Sequence, residues 1–88
     1  MIQKTIQILN QHGLHTRPAT VLVQNAAQFR AEIFITYREV RVNAKSILGL
    51  LILAVEPGAE IIVEAEGSDA EQAVDRIAQL AAVKFNTE

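Results

Sequence analysis

Gly13-Leu14-His15-Thr16-Arg17-Pro18-Ala19 is the stretch at which the hydrophobic period of this chain changes. Before it, Ile2 to Leu9 alternates, with Ile2, Ile6 and Ile8 on one side and Gln3, Thr5 and Gln7 on the other. That is the period of a strand with one buried face. After it, Ala19, Leu22, Val23 and Ala26 fall on one helical stripe, and a helix is expected over Thr16 to Phe29. Asn10-Gln11-His12-Gly13 reads as the connecting loop. Two starts are open for the helix. With Pro18 first, Arg17 is the cap. With Thr16 first, Pro18 still lies in the turn whose N–H groups have no intrahelical partner. The second start is preferred, because it sets the His15 ring beside those open N–H groups.

A helix N-terminus next to a guanidinium is an anion site, and phosphate is its natural occupant. An imidazole nitrogen at that place can attack phosphorus or leave from it. His15 is therefore expected to carry a phosphoryl group, with Arg17 as its neighbour. Each residue taken alone has a plainer role: a surface or capping histidine, a solvated arginine, a proline in an ordinary first turn.

Outward from this junction, Ala31 to Tyr37 and Glu39 to Asn43 read as two short strands. Arg38-Glu39 must turn tightly between them, although neither residue favours the positive φ of hairpin turns. The turn is either strained or longer than it looks. Ser46 is an N-cap candidate for a short helix that is apolar on nearly every face. A two-layer fold buries one face of such a helix, so some of Ile47, Leu48 and Leu51 should be exposed as a partner surface. A buried strand or central helix is the plainer reading of the same run. Glu56-Pro57-Gly58-Ala59 is a turn, and Glu60 to Glu66 alternates again. Ser68 and Glu71 have the spacing of a capping box for a last helix from about Asp69 to Lys84. Its stripe is Val74, Ile77, Ala78, Ala81 and Phe85. The order β-α-β-β-α-β-α predicts an α+β fold: a four-stranded antiparallel sheet, three helices on one face, the other face open to water.

Composition narrows the function. With 88 residues the chain is expected to be one domain, residues 1–88, with one core. It has no cysteine, so neither a disulfide framework nor a thiolate nucleophile is available. No signal-peptide pattern opens it, and the longest apolar run, Ile47 to Val55, is too short to span a bilayer. A soluble cytoplasmic protein without membrane insertion is expected. Net charge is −2, but residues 1–45 hold six basic side chains against two acids, and residues 46–88 hold two against eight. Such a division would polarise the surface and steer an acidic partner to the His15 side. Scarce aromatics and the acidic balance disfavour nucleic acid.

Gly13-Leu14-His15-Thr16-Arg17-Pro18-Ala19 together with Lys45-Ser46-Ile47-Leu48-Gly49 resembles the HPr family, the histidine-containing phosphocarriers of the bacterial phosphoenolpyruvate-dependent sugar phosphotransferase system. The resemblance runs from the first strand to the last helix. It implies an open-faced β-sandwich of four antiparallel strands and three helices, in agreement with the pattern. It implies that enzyme I phosphorylates the Nδ1 nitrogen of His15, that Arg17 neighbours the phosphate, and that IIA domains of sugar permeases receive the group. It also implies regulatory phosphorylation of Ser46 by an HPr kinase/phosphorylase, followed by binding to a catabolite-control repressor. The run Thr20-Val21-Leu22-Val23-Gln24 is closer to the Gram-positive branch. The partner surface is expected over Thr16, Thr20 and Gln24 on one helix and over Lys45, Ile47, Leu48 and Leu51 on the other. A monomeric carrier with no turnover of its own, no cofactor and no metal follows.

Three departures from the family pattern stand out. His12 replaces a usual Asn or Ser, Ala54 replaces a usual glycine, and Leu48 and Leu51 stand where Met is frequent. Other readings are a nitrogen-branch phosphotransferase paralogue, which the Lys45-Ser46-Ile47 segment opposes, and an interaction module using the Ile47–Leu51 patch. A hydrolase with His12 and His15 as an acid–base pair lacks a third catalytic group, and a two-histidine metal site lacks a third ligand.

Overall fold

Four strands, β1 (Ile2–Gln7), β2 (Glu32–Tyr37), β3 (Val40–Asn43) and β4 (Glu60–Glu66), form one antiparallel sheet in the computed structural model, which describes residues 1–88. Their order is β1-β4-β2-β3. Three helices, α1 (Thr16–Ala26), α2 (Ile47–Leu53) and α3 (Ala70–Ala82), and a 3₁₀ turn at Lys84–Asn86 complete the chain. The element order is the expected one.

Alternation places the helices. Ile33, Ile35 and Tyr37 of β2 and Ile61, Val63 and Ala65 of β4 point inward and are buried. All 24 buried apolar side chains belong to one cluster, so every helix packs on the same sheet face. The opposite face carries polar and aromatic groups. There the Arg41 guanidinium lies 3.8 Å from the Phe34 ring centre and 3.7 Å from a Glu64 oxygen.

Three expectations are corrected. Ile2 shares a face with Ile6 and Ile8 but is exposed, because it begins an edge strand, paired only with Ala65 on β4. At the next inward position stands Lys4, whose ammonium reaches Asp75 of α3 at 3.4 Å. The capping box does not form. Asp69, not Ser68, is the residue before α3, and its side chain makes no cap bond. Its carboxylate instead accepts the N–H groups of Arg30 at 2.9 Å and Ala31 at 2.8 Å, tying the start of β2 to the start of α3. The Arg30 N–H is the main reason the Asp69 carboxyl is held below the ordinary carboxylate range, against some desolvation and with help from Ala31. Finally, the two halves of the chain do not separate their charges. The pairs Lys4–Asp75, Arg38–Glu56 and Arg41–Glu64 each join a base from residues 1–45 to an acid from residues 46–88. Placing β4 between β1 and β2 interleaves the halves.

The Arg38-Glu39 turn is tight and strained: both residues have positive φ, 50° and 68°. This is the geometry of a primed hairpin turn, made here without glycine or asparagine. No helix is long and apolar enough to cross a membrane.

Candidate functional site

The α1 helix starts at Thr16, with His15 as its cap residue at φ −91° and ψ −166°. The His15 side chain makes no capping bond, and its carbonyl accepts the Ala19 N–H at 2.9 Å. The imidazole is therefore exposed and uncommitted at a helix end. Pro18 is buried in the first turn, where its missing N–H costs nothing. The Thr20 hydroxyl donates back to the Thr16 carbonyl at 2.8 Å. Arg17 makes neither an ion pair nor a hydrogen bond within the chain, and no acid stands in the first turn.

The loop that aims His15 is held from three sides. Gly13 has φ 74°, and a Cβ there would run into the Val55 carbonyl, so this close approach requires glycine. Leu14 is buried and its N–H donates to the same carbonyl at 3.0 Å. Asn10, buried with 1% exposure, donates from Nδ2 to the Lys84 carbonyl at 2.9 Å and to the Thr87 hydroxyl at 3.1 Å. Its Oδ1 is buried without a partner. The Gln11 N–H donates to the Glu88 carboxylate at 2.6 Å. Nothing in the local pattern marks Asn10, Thr87 or Glu88 for this loop, since the bonds that join them to it span more than seventy residues.

A cavity of about 210 Å³ opens at this point, lined by His12, Gly13, His15, Thr16, Arg17, Pro18, Thr87 and Glu88. Two further depressions also have both His12 and His15 in their walls. His12 is exposed, as solvent-facing histidines are, yet it shares every one of these spaces with His15. One of them, about 320 Å³, reaches from His15 past Leu14 and Val55 to Leu51 of α2. The histidine site and the α2 surface are thus continuous.

On α2, Ser46 caps as expected: its Oγ accepts the Gly49 N–H at 3.1 Å, and its carbonyl accepts the Leu50 N–H at 3.1 Å. Leu50 and Leu53 face the core. Leu48 is 66% exposed, and Ile47 and Leu51 are partly so. Ile52, absent from the sequence reading, is as open as Leu48 at 68%. Thr16 and Gln24 are exposed, and Thr20 is half-buried. Lys45 is less free than expected, because its ammonium donates to the Phe29 carbonyl at 2.7 Å. Ala54 ends α2 in the left-handed region at φ 51° and ψ 50°, the conformation for which glycine is suited.

A site of this kind can accept a dianion. It offers an imidazole with free nitrogens, one unpaired guanidinium, and the open N–H groups of a helix start. No cluster of three or more metal-ligating side chains surrounds it.

The model of a family described as "PTS HPr component phosphorylation site" matches residues 2–82 of the chain. The phosphocarrier protein HPr of Treponema pallidum is 40% identical over the full length of both chains. The crystal structure of HPr from Thermoanaerobacter tengcongensis superposes with a TM-score of 0.96 at 41% identity, covering 100% of this chain and 99% of that one. The catabolite repression protein Crh of Bacillus subtilis, a swapped dimer, superposes with a TM-score of 0.76 at 36% identity, covering 96% of this chain and 97% of that one.

Proposed function

The chain belongs to the PTS HPr family of phosphocarrier proteins, and on that premise we propose that His15 is the residue that carries the phosphoryl group. It receives the group from phosphorylated enzyme I and gives it to IIA domains of sugar permeases. The observation that carries this reading is the uncapped, exposed His15 at the start of α1, in one cavity with unpaired Arg17.

The mechanism follows from the site. The unprotonated Nδ1 of His15 attacks phosphorus as the bond from phosphorus to the donor breaks. The proton stays on Nε2, so one bond to phosphorus is exchanged for another and nothing is hydrolysed. Charge on the transferring group is met by the Arg17 guanidinium and by the open N–H groups of α1. The reverse exchange with an acceptor regenerates the carrier. We further propose that the carrier acts in the cytoplasm as a monomeric single domain with no turnover of its own, as the family likeness suggests. Both partners approach over Thr16, Thr20 and Gln24 and over the open side chains of α2, which Leu51 links to the His15 site.

Ser46 is the regulatory site, a substrate for an HPr kinase/phosphorylase and thereafter a ligand for a catabolite-control repressor. Its hydroxyl lies at a helix start, where a phosphate dianion is favourable, so the added group changes charge beside Ile47 and Leu48 rather than fold. The likeness to Crh supports this role.

Intact-mass analysis tests the carrier. With phosphoenolpyruvate, magnesium and enzyme I, the protein should gain one acid-labile phosphoryl group, and His15→Ala should gain none. Failure with enzymes I of both the sugar and the nitrogen branches would reject it.

A further inference from the structure

We propose that the groove between α1 and the segment from α3 through the 3₁₀ turn binds a small phosphorylated polyol, held by Arg17 and Arg76. The groove has a volume of about 440 Å³, within the range of small-ligand sites. Of the eight basic side chains, four are in ion pairs and Lys45 is spent on a backbone carbonyl. Only Arg17, Arg30 and Arg76 remain without a carboxylate or backbone-carbonyl partner, and two of these three line this one groove.

No carboxylate lines the groove, although Arg17 shares the His15 cavity with Glu88. Asp75, the residue before Arg76, is turned to Lys4 at 3.4 Å. Glu88 is held by the Gln11 N–H and lies 3.8 Å from the Lys84 ammonium. Arg76 donates from Nε to Asn25 Oδ1 at 3.2 Å, which orients its guanidinium and leaves both terminal nitrogens open. Such a fork matches phosphate oxygens two at a time. The remaining polar lining is neutral: Asn86 has no side-chain bond within the chain, and Thr20, whose hydroxyl proton goes to the Thr16 carbonyl, and Asn25, which accepts from Arg76, keep acceptor lone pairs for the hydroxyls of a polyol.

Arg17 also lines the His15 cavity. A ligand in the groove and a phosphoryl group on His15 therefore draw on one guanidinium, and occupancy should slow phosphotransfer. That consequence rests on the carrier reading, whereas binding itself does not.

The test is an NMR titration of the arginine Nε–H and Asn25 side-chain signals at constant ionic strength. Ribose 5-phosphate, inorganic phosphate and ribose serve as separate probes, with wild type, Arg76→Gln and Arg76→Lys. Arg76 is exposed, so both variants should fold, and their unperturbed spectra check this. Ribose 5-phosphate should give saturable shifts at Arg76 and Asn25, about tenfold weaker in Arg76→Gln, with Arg76→Lys between. Inorganic phosphate should bind more weakly and ribose not at all. Shifts confined to Arg17 and His15, or unchanged in Arg76→Gln, would overturn the site. Equal affinity for inorganic phosphate would overturn the polyol assignment.

Discussion

Two helix starts on this molecule carry side chains that take phosphate in the proposed function, and they are prepared in opposite ways. His15 stands at the start of α1 with its ring free and the first-turn N–H groups uncapped by it. Ser46 stands at the start of α2 with its oxygen already bonded to the Gly49 N–H. The first is an open socket, held by a loop anchored through buried Asn10, Gly13 and Leu14. The second is a closed cap, complete without any modification. A site meant to gain and lose a group repeatedly is best kept free of competing bonds. A site that stabilises its helix in the resting state has a structural role of its own, and phosphate there replaces one acceptor with a stronger one.

The contrast breaks most sharply at Gly13. Gly13→Ala forces a Cβ against the Val55 carbonyl at positive φ and should cost about 3 kcal/mol or more, measured by chemical denaturation. Phosphoryl acceptance should fall with it, because His15 is aimed by that loop. Ser46→Ala removes the α2 cap and should cost about 1 kcal/mol while leaving His15 phosphorylation at its wild-type rate. Equal losses of transfer in both variants would show that the two starts are not independent. At the other end of α2, Ala54→Gly relieves a left-handed backbone and should raise stability by less than about 1 kcal/mol.

The smallest effect sharpens the comparison with a third helix start. Asp69 precedes α3 but spends its carboxylate on Arg30 and Ala31. Its carboxyl is depressed in the folded state, so its contribution is complete above about pH 4 and fades as pH falls through the folded value. The stability gap between wild type and Asp69→Asn should be full at neutral pH and close in acid. A gap that persists unchanged at low pH would assign the effect to packing instead.

What the sequence disclosed was what repeats locally. Alternation in Ile2–Ile8 and Glu60–Glu66 and the stripe Ala19, Leu22, Val23, Ala26 are set by burial of one face, which leaves a periodic trace. Ser46 as a cap was legible because its partner, Gly49, is three residues on. Ser68 and Glu71 carried the same local signal and misled, because Asp69 is engaged by backbone across the fold. That His15 and Arg17 stand together at a helix start was legible, but Asn10 and the approach of Thr87 and Glu88 were not. Those contacts join ends of the chain that no local window sees together. Ile52 escaped because a nearly all-apolar helix gives no periodicity to say which side is buried.

The bond from Asn10 to Lys84 and Thr87 also sets an order of events during synthesis. The chain's first strand has its only sheet neighbour in β4. The loop bearing His15 can be held at Val55 before then, but gains its last anchors only when the C-terminal residues have left the ribosome. His15 is made early, yet a nascent chain shorter than this lacks the bonds from Asn10 that complete its loop.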